Sequence, residues 1–255
     1  MTPDGPLVFI HIPKTAGTSL RIAFASILGD EETLWVYPRA SWATPAADVA
    51  DLAPKRLSRA RLVMGHFMFG LHHQLPPGSR YATVLRRPVD RVISAYFHNV
   101  RAIRRRTKDG RPMNAWQRAI AEDGIGLAGF ARSEAGGRRV APSQNQQVRM
   151  IAGRNHIGGD PEATELLDIA LEHVERDFAA VGITDDAGGF AAALAAREGW
   201  GEGIELPTVN RNPGRPAEGE IDPAELAVVK EHNALDIALY DHIVGLIAKA
   251  GSPLV

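Results

Sequence analysis

The sequence contains no cysteine, which removes disulfides, thiolate metal sites and cysteine nucleophiles together. It also has no apolar run of the roughly 20 residues that a membrane-spanning helix needs. The opening MTPDGPLVFIHI lacks the basic segment and small-residue cleavage pattern of a secretory signal, so the expected location is cytoplasmic. Neither charge sign dominates: 29 Lys and Arg against 30 Asp and Glu leave a formal charge of -1. That balance argues against non-specific nucleic-acid binding. Internal repeats and low-complexity linkers are missing too, which sets aside solenoids and tethered arrays.

What remains is a chain of 255 residues with 45% hydrophobic and 23% charged residues, long enough to bury a substantial core. The length favours a single domain over residues 1–255. Apolar runs at Leu7–Ile12, Arg61–His66, Tyr81–Arg86 and Ala179–Thr184 read as strands. Helices are expected at Thr18–Leu28, with Thr18 or Gly17 as cap, and from Val89 along the stripe Val92, Ile93, Tyr96, Val100 and Ile103. Pro88 suits the first turn of that second helix. Further helical stretches are Asn114–Phe130 and Gln144–Ile151, with glycine-rich breaks, then ATELLDIALEHVERDF, FAAALAAREG and one long terminal helix from Pro223 to about Ala250. PAADVADLAPKRL suggests a weak helix broken at Pro54. Strands alternating with helices imply an α/β fold, a mostly parallel sheet flanked by helices with helical insertions.

In such sheets ligands gather at the carboxyl ends of the strands. Three polar clusters, Pro13–Ser19, Gly65–His66 and Arg86–Ser94, each follow an expected strand. In PKTAGTS, small residues sit where the chain turns into a helix, so backbone N–H groups can point at an anion. Thr18 and Ser19 add hydroxyls, and Lys14 adds a mobile positive charge. The triphosphatase signature places Gly-Lys-Ser/Thr after a glycine and four residues, whereas here the lysine precedes the glycine. The alternative for this stretch is a capped helix with a solvated lysine. A second anion subsite is offered by Arg86 at a strand end and Ser94 in the next helix, since an arginine fork and a hydroxyl suit one phosphate.

HIPKTAGTSL and LRRPVDRVISAYFH, in this order and each after a strand, resemble the two nucleotide motifs of the sulfotransferases that use 3′-phosphoadenosine-5′-phosphosulfate (PAPS). The likeness is strongest to the carbohydrate branch that includes heparan and uronosyl 2-O-sulfotransferases. Weaker similarity runs through QNQQVRMIAG, VERDFAAVGIT and NALDIALYDHI. Family members often carry Arg-Asp-Pro where this chain has Arg86-Arg87-Pro88, and the 2-O-sulfotransferases carry His-Gly-His where it has Met64-Gly65-His66.

The resemblance implies a P-loop-type sheet and a PAPS-dependent sulfotransferase releasing adenosine 3′,5′-bisphosphate, with no metal required. It implies that Lys14 contacts the leaving group. Thr15, Ala16, Gly17, Thr18 and Ser19 would hold the 5′-phosphate, and Arg86 and Ser94 the 3′-phosphate. Arg211 and Arg215, in the loop VNRNPGRP, would close over the nucleotide.

His66 is the candidate base, because an imidazole titrates near neutrality and the family places a histidine there. His72 and His73 are weaker choices, and adjacent histidines do not share a helical face as a metal pair would. His11 reads as a packed or hydrogen-bonded core residue. The basic stretch RAIRRRTKDGR reads as an anionic-acceptor surface, a nucleic-acid contact or a helix end whose arginines favour the dipole; no interleaved aromatics support single-strand binding. The acceptor stays open among carbohydrate, lipid-linked sugar, small metabolite and peptide hydroxyl. The rival functions are a non-catalytic anion or polysaccharide binder on the same fold and an atypical nucleotide kinase.

Overall fold

The computed structural model describes residues 5–37, 54–138, 143–154, 163–207 and 214–253. Its strands are β1 (Leu7–Ile10), β2 (Thr33–Val36), β3 (Leu62–Gly65), β4 (Arg80–Leu85) and β5 (Phe178–Ile183). They form one five-stranded sheet in the order β2-β3-β1-β4-β5, and every pairing is parallel. The helices are α1 (Gly17–Leu28), α2 (Pro54–Leu57), α3 (Pro88–Asp109), α4 (Ala115–Glu122), α5 (Leu127–Ala131), α6 (Gln146–Ala152), α7 (Ala163–Asp177), α8 (Ala187–Arg197), α9 (Pro223–Glu231) and α10 (Ala234–Ala250). The α/β class and the parallel sheet flanked by helices are as the sequence implied. None of the helices among the described residues is long and apolar enough to cross a membrane.

The chain divides into two compact units. The first holds Met1–Arg86, Gln147–Val209 and Leu239–Val255, and with them the whole sheet; the second holds Arg87–Gln146 and Asn210–Ala238.

In the first unit, strands covered on both faces must be apolar at every position, and β1 is buried throughout. Leu7, Phe9, Leu62, Met64, Ala82 and Val84 point to a face packed by Leu20, Phe24 and Leu28 of α1 and by Phe190, Ala191, Leu194 and Ala195 of α8. Phe9 meets Phe24 and Phe190 edge-on at 5.8 and 6.3 Å, a favoured aromatic arrangement. Elsewhere in this unit Phe69 stacks on His173 at 3.7 Å, and Tyr81 lies 4.7 Å from Phe69 and 5.4 Å from Phe178. The Tyr81 hydroxyl accepts N–H bonds of 3.0 Å from both Gly70 and His72, which pins the segment that follows β3.

In the second unit α3 presents Val89, Val92 and Ile93 to Leu127, Phe130, Ala131, Ile221 and Val229. Beneath this apolar layer Arg91 and Asp236 are both fully buried, with Arg91 Nε 3.8 Å from Asp236 Oδ2. Arg91 also donates to Gln146 Oε1 at 2.7 Å and to the Ser143 carbonyl at 2.8 Å.

Two expectations change. The helix expected from Pro223 to Ala250 is two helices, interrupted at His232–Asn233. Asn233 donates to the Val229 carbonyl at 2.9 Å and accepts from the Asn145 N–H at 3.1 Å. Asn145 Oδ1 in turn accepts from Leu235 and Asp236 N–H, at 3.1 and 3.2 Å, and so caps α10 from a distant part of the chain. Strand β2, TLWV, was not anticipated: it is four residues long and follows an acidic, turn-like stretch. Of the weak helix read in PAADVADLAPKRL, Pro54–Leu57 is helical and the part before Pro54 lies outside the described residues.

Candidate functional site

Because all five strands are parallel, their carboxyl ends share one edge of the sheet. There the chain leaves β1 at His11, β2 at Tyr37, β3 at His66 and β4 at Arg86. β1 and β4 are neighbours, yet β1 connects onward to β2 on one side and β4 to β5 on the other. A crevice opens at such a point, and ligands of α/β sheets sit there.

The segment after β1 makes a strained turn into α1. Lys14 and Ala16 have φ of 74° and 62°, left-handed values that cost a non-glycine residue of order 1–3 kcal/mol and cluster at functional sites. Alternating handedness of this kind turns successive N–H groups inward. Two side chains brace the strained turn: the Thr15 hydroxyl donates to the Ile12 carbonyl at 2.8 Å, and Arg86 Nη1 donates to the Lys14 carbonyl at 3.1 Å. The helix cap differs from the expected Thr18 or Gly17. Ala16 is the cap residue, Gly17 opens α1, and no side chain bonds to the cap N–H groups. Glycine is required at 17 because a Cβ there would lie 1.9 Å from the His11 ring. Thr15 and Ser19 are buried, so Thr15 is confined to its structural bond, whereas Thr18 is half-buried.

Arg86 is held from behind. Its N–H donates to Gln147 Oε1 at 2.9 Å and its carbonyl accepts from Gln147 Nε2 at 3.0 Å; Gln147, on α6, is fully buried. These reciprocal bonds fix the backbone from which the guanidinium reaches the loop.

His66 follows β3 directly. Its Nδ1 lies 2.7 Å from the His11 carbonyl, an acceptor only, so Nδ1 carries the proton and Nε2 the lone pair of the neutral ring. The ring packs against His11 at 4.2 Å and against Tyr37 at 4.8 Å, the latter perpendicular. Burial lowers the His66 pKa below 6.5, the bond to His11 opposes this, and Arg21 lowers it further. Gly65 makes the approach possible, since a Cβ there would lie 1.7 Å from the Val36 carbonyl oxygen. His11 is buried, as the sequence suggested, and shares a 2.8 Å hydrogen bond between Nδ1 and the Tyr37 hydroxyl. Arg21 of α1 sits over the Tyr37 ring at 5.6 Å, a cation–π contact.

Burial, followed by the charges of His66, Arg21 and Lys14, pushes the His11 pKa down to about 2. The unfolded ring takes its proton near pH 6.5 and the folded ring near pH 2, so this contribution is complete above 6.5 and is lost as pH falls through that window. The expected slope is about 1.4 kcal/mol per pH unit. Urea unfolding at pH 7.5, 6.5 and 5.5 should show it, and His11→Gln should reduce it to the part that His66, also lowered by burial, contributes. Equal slopes in both proteins would mean that the folded ring accepts a proton.

Lys14, the loop residues through Ser19, His66 and Arg86 thus lie in the same unit, at or beside the carboxyl edge of the sheet. Ser94 is half-buried on α3 in the second unit. Arg215, also in the second unit, is ion-paired to Asp90, while Arg211 lies outside the described residues. His72 bonds through Nδ1 to the Tyr81 hydroxyl at 2.9 Å. Sequence reading missed Tyr37, Arg21 and Gln147. For Tyr37 a signal existed, an apolar run ending in a polar aromatic residue, and Gln147 lies in the stretch QNQQVRMIAG where the weaker resemblance runs; for Arg21 there was none. Compared with protein-family models and with curated proteins, the chain matches none.

Proposed function

We propose that the chain is a sulfotransferase that moves a sulfuryl group from PAPS to an acceptor hydroxyl, of a carbohydrate or a glycosylated metabolite. One observation carries the reading: a strained anion loop bearing Lys14, braced by Arg86 through the 3.1 Å bond, shares the sheet's carboxyl edge with a histidine whose proton is fixed on Nδ1. The position of the loop after central β1, in the order β2-β3-β1-β4-β5, supports the finer description of the sheet as P-loop-type.

In this mechanism the N–H groups of Thr15 to Ser19 and the Thr18 hydroxyl hold the 5′-phosphate, and Arg86 meets the 3′-phosphate. Ser94, Arg211 and Arg215 enter through the resemblance alone. The acceptor O–H bond breaks and its proton passes to His66 Nε2. The freed electron pair forms the new O–S bond, while the bond between sulfur and the bridging oxygen breaks and its electrons stay on the phosphate. Lys14 stabilises that developing charge, the kind of preorganised electrostatic contact that contributes most to such transfers. The Nδ1–H bond to the His11 carbonyl then stabilises the imidazolium.

Adenosine 3′,5′-bisphosphate at about 100 times its Kd should raise the stability by about 2.7 kcal/mol, a rise in Tm of about 5–10 °C for a chain of this size. ATP with Mg²⁺ should give little. The reverse pattern would replace this reading with the kinase. A bisphosphate shift without labelled-sulfate transfer to any acceptor in a broad screen would favour the non-catalytic binder.

A further inference from the structure

We propose that His11 and Tyr37 are positioning residues for His66, holding its imidazole in the one orientation and tautomer that leave Nε2 as the proton acceptor. This rests on the reading of His66 as the base. A lone histidine at a strand end can rotate about two side-chain bonds and exchange tautomers, and either freedom removes a base from its working geometry. Here both freedoms are restrained. The His11 carbonyl fixes the proton on Nδ1 at 2.7 Å. The His11 ring lies along the imidazole at 4.2 Å with a 36° tilt, and the Tyr37 ring meets it at 4.8 Å and 90°.

The support is itself anchored. His11 is tied to Tyr37 through the 2.8 Å bond at Nδ1, and on its far side it fills the space of a missing side chain at Gly17, the first residue of α1. The His11 ring is therefore a spacer between the base and the anion loop. Tyr37 arrives from β2, at the sheet edge, through the close approach that Gly65 permits. The titratable and charged groups facing this cluster are Arg21 from α1 and Lys14 from the loop. Burial pushes the Tyr37 pKa up to about 12, so its hydroxyl keeps its proton throughout the working range.

Tyr37→Phe keeps the ring wall and removes the bond to His11. It is expected to lower kcat about tenfold, with the KM for PAPS changed less than about twofold, because orientation and not nucleotide binding is lost. In a His66→Ala background the same change should have no further effect, since there is no base to position. Equal losses in both backgrounds, or no loss in either, would overturn the proposal. A second readout needs no turnover: ¹⁵N spectra of the histidine side chains should show His66 as the Nδ1–H tautomer in the parent and a mixture in Tyr37→Phe, because a His11 ring no longer tied to Tyr37 lets the imidazole turn away from the carbonyl that fixes its proton. An unchanged tautomer would overturn the positioning role whether or not sulfuryl transfer is ever found. Should Tyr37→Phe fail to fold, His11→Gln, which removes the ring and keeps the carbonyl, should give the same kinetic and spectral changes.

Discussion

Lys14→Ala should lower sulfuryl transfer by about 10²–10³-fold, the range seen when one preorganised group is removed from a developing negative charge. It should also weaken adenosine 3′,5′-bisphosphate binding markedly. The substitution is clean in one respect. At φ 74° lysine and alanine carry the same Cβ penalty, so the turn keeps its shape while the charge disappears. The Arg86 bond goes to the Lys14 carbonyl and not to its side chain, so the brace survives as well. His66→Ala provides the contrast, with transfer lowered about 10²–10⁴-fold, the contribution of a general base, and bisphosphate affinity within about twofold of the parent. Steady-state assays with labelled PAPS, together with isothermal titration of the bisphosphate, separate the two roles. Parent-like turnover in either variant would reject the role given to that residue.

Asp236→Ala should cost about 3–5 kcal/mol of stability, as does removal of one partner from a buried ion pair. Arg91 would be left fully buried, with its bonds to Gln146 and Ser143 but without its counter-charge. Burial already lowers the Arg91 pKa, opposed by Asp236, yet the guanidinium stays charged at any working pH. The double change Arg91→Met with Asp236→Leu should recover much of the loss, since an apolar pair of similar volume avoids desolvating both charges. Urea denaturation of the three variants and the parent tests this. A loss under about 1 kcal/mol in Asp236→Ala would show that the other two bonds suffice.

The four strands found by reading alone, β1, β3, β4 and β5, are those whose side chains are buried in near-continuous apolar runs, so composition reported them directly. β2 is as short as β1 and β3, but it has only three apolar residues, Leu34, Trp35 and Val36, directly behind the acidic stretch Asp30–Glu32, so no apolar run stands out. The break between α9 and α10 was hidden for a different reason: apolar residues recur on both sides of Asn233, and the bonds that hold the break come from Asn145, some 90 residues upstream. The site divides the same way. Lys14, His66 and Arg86 stand immediately after or close behind apolar runs and could be picked out singly. Tyr37 and Gln147 act through partners 26 and 61 residues away, a relation that only the folded chain reveals.

The cap that Asn145 supplies to α10 also governs the order of events during synthesis. The second unit is built from Arg87–Gln146 and Asn210–Ala238, so its first half leaves the ribosome well before the residues that complete it. At about 5–20 residues per second, the 90 residues between Asn145 and Leu235 take about 5–20 s to emerge. Through that interval Arg91 has no Asp236, and Val89, Val92 and Ile93 lack Ile221 and Val229. The nascent chain thus spends those seconds with the apolar stripe of α3 covered from one side only, by Leu127, Phe130 and Ala131.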